Sequence, residues 1–561
     1  MPRLVEVVPN FSEGRNPEVI RRIVDRIASA DGVTVLNVDS GKATNRTVVT
    51  FVGEPDAVLQ GAFRGIQAAA ELIDMRQHSG EHPRMGATDV CPFIPISGVT
   101  MEECAELARR LGERVGRELG IPVYLYEAAQ PNPARRNLAD IRAGEYEGFV
   151  RKIRDPQWRP DFGPGELPLK HGATVIGARD FLVAFNVNLN TTSTRRANAI
   201  AFDVREAGRP KRSGDPLTGP VETDAAGNPV TIPGSLRAVK AIGWFIEEYG
   251  IAQVSMNLVD LKTTPLHVAF DEVCEKAAAR GLRVTGSELV GLVPLQAMLE
   301  AGRHYLRKQQ RSTGVSEAEL VRLAIRSMGL DELSPFDPAE RIIEYKLGLG
   351  RPGRLAGLSV TRFVDETASE SVAPGGGSVA ALVGALGAAL GAMVANLSSH
   401  KRGWDERWEE FSHAAETGRR AVDELVRLID EDTNAFNAVM AAMGMPKGTD
   451  EEKAARREAL ETATRYAAEV PLRVARVACE SMSFIMAMAE TGNPASASDA
   501  AVGGLCARTA VLGACLNVRT NLPGLADKAA AAALLAEAVE LEERAKELEA
   551  RILAIATEKI G

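Results

Sequence analysis

Histidine is scarce in this chain, with seven in 561 residues. Cysteine is scarcer still. Six (Cys91, Cys104, Cys274, Cys479, Cys506 and Cys515) are scattered with no C-x-x-C pair. That spacing excludes a zinc knuckle or a disulfide framework, and no metal is expected. Basic surplus is also missing. Lys and Arg total 66 against 75 acidic residues, a net charge of −9. Phosphate backbones need a basic surface, so nucleic acid is not expected as a partner. The opening residues, "MPRLVEVVPNFSEG", lack the composition of a signal peptide, and a reducing cytoplasm is expected. Long apolar runs are nearly absent. The exception, Val379–Leu397, carries no charge over 19 residues. More than half of it is alanine or glycine, which favours a buried helix of a packed bundle over a membrane span. No second such segment is expected.

What is present is ordinary soluble composition, 45% hydrophobic and 25% charged, in a length that suggests three or four domains. The periods change along the chain. Over residues 1–180 strands such as "LVEVVPNF", "RTVVTFVG" and "VCPFIPI" alternate with amphipathic helices. Asn16 and Pro17 read as the start of one helix, and Thr100 with Glu103 as a capping box on another. Residues 181–330 repeat the alternation, with helices expected over 234–249, 265–280 and 294–307. The Gly/Pro-rich stretch 208–234 reads as a flexible surface insertion. Residues 331–357 read as a linker. From 358 to 561 strand signals vanish and alanine-rich helical periods take over. The fold class expected is therefore two α/β subdomains followed by an all-α domain.

One stretch concentrates chemistry: "SGEHPRMGATDVCPFIPISG", residues 79–98. His82 lies between Glu81 and Pro83, with Arg84 and Asp89 near and a strand following. Histidine titrates near neutrality, and a carboxylate (Glu81, Asp89 or Asp39) would fix its tautomer. On the residues alone, a structural loop histidine and a proton-transfer group both remain open. Arg46 and Arg84 are candidates for clamping carboxylates, because guanidinium matches carboxylate in a fork, and structural ion pairs remain the alternative. Asn10, Asn186 and Asn188 are lesser candidates for amide contacts.

The motifs "VPNFSEGRN", "GEHPRMGATDVCPFIP", "AGEYEG", "FNVNL" and "GSELVGLVPL" closely resemble glutamate formimidoyltransferase, and "APGGGSVAA" with "GNPASASDAAVGGL" resembles formimidotetrahydrofolate cyclodeaminase. The chain is similar, nearly throughout, to the bifunctional family that fuses the two. That resemblance implies transfer of a formimidoyl group from N-formimidoyl-L-glutamate to tetrahydrofolate. Cyclisation to 5,10-methenyltetrahydrofolate with release of ammonia would follow. It makes His82 the transferase's general acid/base, with His78 a structural neighbour. It also makes the loop Gly163, Pro164, Gly165, Glu166, Leu167, Pro168, Leu169, Lys170, His171 and Gly172 the folate-binding loop, with Asp39, Arg46 and Arg84 as further binding candidates. Tetrahydrofolate is the expected co-substrate, with a polyglutamylated tail admitted, and the expected assembly is a homo-oligomer. Gly375, Gly376 and Gly377 open the Ala-rich helix, where backbone N–H groups favour anions. An ungapped register from Gly375 puts Trp408 where relatives carry the aspartate credited as the cyclodeaminase acid. Asp405 is therefore taken as that acid, with Asp499 as a further candidate. Two alternatives stay open: a formyl donor, and a helical domain that only binds and assembles.

Overall fold

The computed structural model describes residues 3–42, 44–80, 83–214, 219–349 and 353–561. Contacts divide the chain into two compact units: residues 1–298 with 328–349, and residues 299–327 with 350–561.

The first unit begins with β1 (Leu4–Val7), β2 (Asn10–Phe11), α1 (Pro17–Ala28), β3 (Val33–Gly41), β4 (Arg46–Gly53), α2 (Pro55–Leu72), β5 (Thr88–Ser97), α3 (Met101–Leu119), β6 (Val123–Glu127), α4 (Leu138–Arg142), α5 (Glu145–Lys152) and β7 (Thr174–Ala178). These seven strands form one mixed sheet in the order β1-β4-β2-β5-β7-β6, with β3 on β4 and β5, β7 and β6 parallel. Asn16 caps α1 and Pro17 sits in its first turn, while Thr100 and Glu103 close the expected capping box on α3. The helices cover one face of the sheet through Phe11, Phe51, Ile66 and Leu111, all buried in one cluster. Strand alternation then sends Glu6, Asn10, Val48 and Val90 to the other face.

The second part of this unit holds β8 (Val183–Leu189), α6 (Thr194–Val204), β9 (Arg209–Pro210), β10 (Thr231–Ile232), β11 (Val239–Ile246), β12 (Ile251–Leu258), α7 (Leu266–Ala278) and β13 (Val284–Val290). Its sheet runs β11-β12-β8-β13, antiparallel throughout. The helix expected over 234–249 is instead strand β11. It pairs residue for residue with β12, and Gly250, at φ +66°, helps close the turn between them. A helix unforeseen in the sequence, α6, packs behind it. The 208–234 insertion folds back as a short arm in which β9 and β10 pair; part of it, 215–218, lies outside the described residues.

The chain continues as α8 (Leu295–Lys308), α9 (Glu317–Met328), α10 (Pro338–Arg341) and α11 (Ile343–Lys346). The expected linker is not a free tether over 331–349. Ile342 and Ile343 are fully buried, and Ile343 joins Leu4, Leu36 and Val52 in a core cluster of the first unit. Apolar side chains at those two positions outweigh the polar composition around them.

The second unit takes in most of α8 and α9 and a bundle of α12 (Val360–Thr367), α13 (Gly376–Ser399), α14 (Trp408–Met443), α15 (Asp450–Thr491), α16 (Ala497–Asn521) and α17 (Lys528–Ile560). α13 is the expected buried helix, with Gly384, Gly387 and Gly391 packed on neighbouring helices. A Cβ on Gly387 would sit 2.7 Å from the carbonyl oxygen of Gly503 in α16, so these two helices meet backbone to backbone. One expectation is corrected: a second segment, 494–524, is also long and apolar enough to cross a membrane. Both segments pack within the bundle, where their small residues permit close helix approach.

Candidate functional site

The other face of the first sheet packs in part on α4 and α5, through Tyr124, Val175, Ile141 and Phe149, and elsewhere forms the floor of a cleft of about 880 Å³. Strands supply Glu6, Asn10, Arg46, Thr50 and Val90; α4 supplies Arg142; and Tyr126, Glu127, Arg179 and Lys240 stand along its sides. Polar atoms here await partners. The Asn10 Nδ2 donates to the Val8 carbonyl at 2.8 Å, but its Oδ1 is buried and unbonded. The Arg46 Nε is likewise buried without a partner. An unmet buried donor or acceptor costs about 1–3 kcal/mol, which a bound ligand would recover. Burial depresses the Arg46 guanidinium, and Asp89 and Asp39 oppose that shift. Asp39 pairs across the ladder from Val48, which puts it on the cleft face of exposed β3.

Asp89 is 1% exposed. It accepts from Arg142 Nη2 at 2.5 Å and from the Met85 N–H at 3.1 Å. Breaking so buried a pair costs about 3–5 kcal/mol. It holds Arg142 at the cleft. Arg142 was not among the residues singled out from the sequence, and "AGEYEG", which follows it, was the nearest signal. Glu6 was missed too. It is 3% exposed, and burial pushes its carboxyl up to about 8 against the opposing pull of Arg179. A glutamate alternating with valines in "LVEVV" reads simply as an outward strand position.

His82 and Glu81 lie outside the described residues, but their loop is anchored on both sides. Asn45 accepts from the Gly14 N–H at 3.0 Å and donates to the Ser79 carbonyl at 3.0 Å. A Cβ on Gly80 would lie 2.3 Å from the Thr44 carbonyl oxygen, and one on Gly86 2.2 Å from that of Ala173. Both glycines of the motif are therefore demanded by close backbone approach. His78 bonds Asn45 O through Nε2 at 2.9 Å and receives Arg84 Nε on Nδ1 at 3.3 Å. Burial lowers its pKa and Arg84 adds to that, so it is a neutral, structural histidine. Arg84 is not available as a substrate clamp, because Glu145 and Glu147 hold it at 3.0 and 2.6 Å.

The loop Gly163–Gly172 is brought to the same place. Gly172 bridges Gly86, the Ala87 N–H donates to the His171 carbonyl at 2.8 Å, and Lys170 Nζ reaches the Glu71 carbonyl at 2.9 Å. Its tip, Gly163–Glu166, is exposed, while the His171 Nε2 is buried and unbonded. Asn188 is committed elsewhere, to Gln253 at 2.8 Å and Glu332 at 2.6 Å, and Asn186 donates to Glu288 at 3.2 Å.

In the second unit Gly375–Gly377 start α13 beside Asp432 of α14. Ser378 Oγ donates to Asp432 Oδ2 at 3.1 Å. Asp405 is not part of this group. It is exposed beyond the C-terminal end of α13, a helix of 24 residues and so roughly 36 Å long. Asp499, in the first turn of α16, is near that same far end, since Asn493 N–H bonds Ser398 Oγ at 2.8 Å. Among the described residues no cluster of three or more His, Cys, Asp or Glu is placed to hold a metal ion.

Three family profiles match in succession. They are the formiminotransferase domain N-terminal subdomain over residues 4–179, the formiminotransferase domain over 184–348, and formiminotransferase-cyclodeaminase over 359–540. The chain is 44% identical to the formimidoyltransferase-cyclodeaminase of Gallus gallus over 556 residues, 99% of each chain. It is 44% identical to the glutamate formimidoyltransferase of Thermoplasma acidophilum over 306 residues, 54% of this chain and 92% of that one. A methenyltetrahydrofolate cyclohydrolase of Methylorubrum extorquens is 39% identical over 191 residues, 34% of this chain and 87% of that one.

Proposed function

The chain belongs to the formimidoyltransferase-cyclodeaminase family, and from that premise we propose an enzyme with two consecutive folate reactions. The first unit transfers the formimidoyl group of N-formimidoyl-L-glutamate to N5 of tetrahydrofolate. The second closes 5-formimidoyltetrahydrofolate to 5,10-methenyltetrahydrofolate and releases ammonia. The observation that carries this reading is the full-length match together with separate matches, over parts of the chain, to a stand-alone transferase and to a one-carbon folate enzyme.

In the transferase unit N5 attacks the formimidoyl carbon and must lose a proton, and the departing glutamate nitrogen must gain one. One imidazole performs both transfers, and His82 is assigned that role. The Asn45 bonds and the two close-packed glycines support it by fixing the flanks of its loop. Arg46, Arg142 and Asn10 offer the cleft's charged and amide contacts to substrate carboxylates and ring N–H groups, with Asp39 at the rim. The loop Gly163–Gly172 covers folate beside the His82 loop.

Further parts of the proposal rest on chemistry alone. The reaction needs no metal, and its donor is the product class of histidine breakdown. A polyglutamylated folate tail fits an open cleft. A homo-oligomer in the cytoplasm is proposed, without nucleic-acid or membrane partners. Exposed Ile242, Trp244 and Phe245 on β11, and Leu386, Leu397 and Leu516 in the bundle, support self-association. The test is to supply the purified chain with N-formimidoyl-L-glutamate and tetrahydrofolate. Glutamate, ammonia and the methenyl chromophore are followed together. Glutamate, ammonia and chromophore formed in equal amounts support both reactions. Glutamate without ammonia removes the second.

A further inference from the structure

The cyclisation proposed for the helical unit needs a proton donor, and the run Asp430-Glu431-Asp432 in α14 contains three carboxyl groups, the last of them against Gly377 of the glycine motif. Two are already committed. Asp430 accepts the N–H groups of Leu355 and Ala356 at 2.7 and 3.0 Å, and so ties down the segment that enters the bundle. Glu431 is held by Arg427 and by Tyr466 Oη at 2.5 Å.

Asp432 is different. Its partners among the described residues are the hydroxyl and N–H of Ser378, with no cation among them. Burial raises its pKa, and the Ser378 bonds only partly offset that. Glycine backbone approaches it closely: a Cβ on Gly377 would stand 2.1 Å from Asp432 Oδ1. Asn517 of α16 lies just beyond, with its amide nitrogen 3.4 Å from a Cβ built on Gly376. Along α14, Phe436 (43% exposed), Met440 and Met443 follow Asp432 at intervals of four, four and three residues. They make an uncovered apolar stripe on the same helix face. An acid shielded from cations, at the edge of glycine backbone, with an aromatic beside it, is what a flat ring carrying a departing amine requires.

We propose that Asp432, positioned by Ser378 against Gly377, is the catalytic acid of the ammonia-releasing step, with the folate ring lying along Phe436. This rests on the two-reaction reading above. N10 attacks the formimidoyl carbon, the C–N10 bond forms, and the proton on N10 passes to the imine nitrogen, which becomes an amino group. The Asp432 carboxyl gives its proton to that amino group. The C–N bond breaks with its electron pair leaving as ammonia, and the N5 lone pair completes the methenyl cation. Asp432, left as carboxylate, is reprotonated from water. An open groove of about 430 Å³ toward the far end of α13 contains no carboxyl group among its lining residues. Its titratable imidazole, His400, is lowered by burial and by Arg311, which suits it poorly as an acid.

The test uses the full-length chain and 5-formimidoyltetrahydrofolate added directly, with ammonia and the methenyl chromophore as readouts. Asp432→Asn keeps an acceptor for the Ser378 N–H but has no proton to give. The expected result is a fall in kcat of at least about 100-fold with KM within about threefold. The helical melting transition should be unchanged, and partial recovery is expected in Asp432→Glu. A kcat within fivefold of wild type overturns the assignment. So does a loss seen only as a raised KM or a lowered melting transition, which would make Asp432 a helix cap. A dead His400→Ala beside an active Asp432→Asn moves the site to the far groove. If the wild-type chain releases no ammonia, the two-reaction reading itself falls and this assignment falls with it. An active wild type with an active Asp432→Asn rejects the assignment alone.

Discussion

The two units build polar sites from opposite materials. In the first, a mixed sheet is covered by helices on one face and only in part on the other, and alternation sets charged and amide side chains along a cleft of about 880 Å³. In the second, glycines of α13 let neighbouring helices pack closely, backbone to backbone at Gly387 and Gly503, and the polar group stands where one helix begins against another. Sheet geometry distributes chemistry across a surface; helix geometry gathers it at an end. Substitutions should therefore spread their effects over binding in the first unit and act on single groups in the second.

The largest effect expected outside the bundle is His82→Ala. Transfer from N-formimidoyl-L-glutamate should fall about 10²–10⁴-fold, while ammonia release from added 5-formimidoyltetrahydrofolate persists. Loss of both activities in a folded variant would break the division between the units. Arg46→Met should raise the KM of the transferase roughly 10-fold or more with kcat less affected, because a buried charged contact to ligand is removed. A variant with unchanged KM would place substrate elsewhere than along this cleft.

Gly377→Ala sharpens the contrast from the other side. Its Cβ would lie 2.1 Å from Asp432 Oδ1, so Asp432 or α13 must move. Overpacking of this kind costs about 1–3 kcal/mol. Ammonia release should fall and the bundle should melt lower, while transfer stays at the wild-type rate.

Glu6→Gln tests the cleft floor through stability. The folded carboxyl titrates near 8 against an ordinary 4.5, so the native state holds the proton more tightly than the unfolded chain. Stability contributed by this group is full below 4.5 and lost as pH rises toward 8. The variant should match wild type at pH 4.5 and exceed it increasingly up to pH 8, on the order of a few kcal/mol. A melting difference independent of pH would show that Glu6 is not held neutral. The smallest effect is expected for Asp405→Asn. This exposed side chain stands at the far end of α13, and ammonia release should change less than about twofold.

Much of the molecule follows from the order of its residues. The change from alternating periods to alanine-rich helices separates the two kinds of architecture, because periods of 2 and 3.6 are written locally. The Asn16 and Thr100 caps are local as well, and so are the motifs around His82 and Gly375. "IGWFIEEYG" misleads for the same reason. Its spacing suits a helix, and only pairing with Ile251–Leu258 makes it a strand. The rest depends on partners distant in sequence. Asp89 finds Arg142 53 residues on, Gly86 meets Gly172, and Ser378 meets Asp432 54 residues away. Burial of Glu6 needs the whole sheet around it. Close approach, desolvation and unmet hydrogen bonds are properties of packed neighbours. No window of sequence contains those neighbours, so only the tertiary structure decides which carboxyl keeps its proton and which arginine faces the cleft.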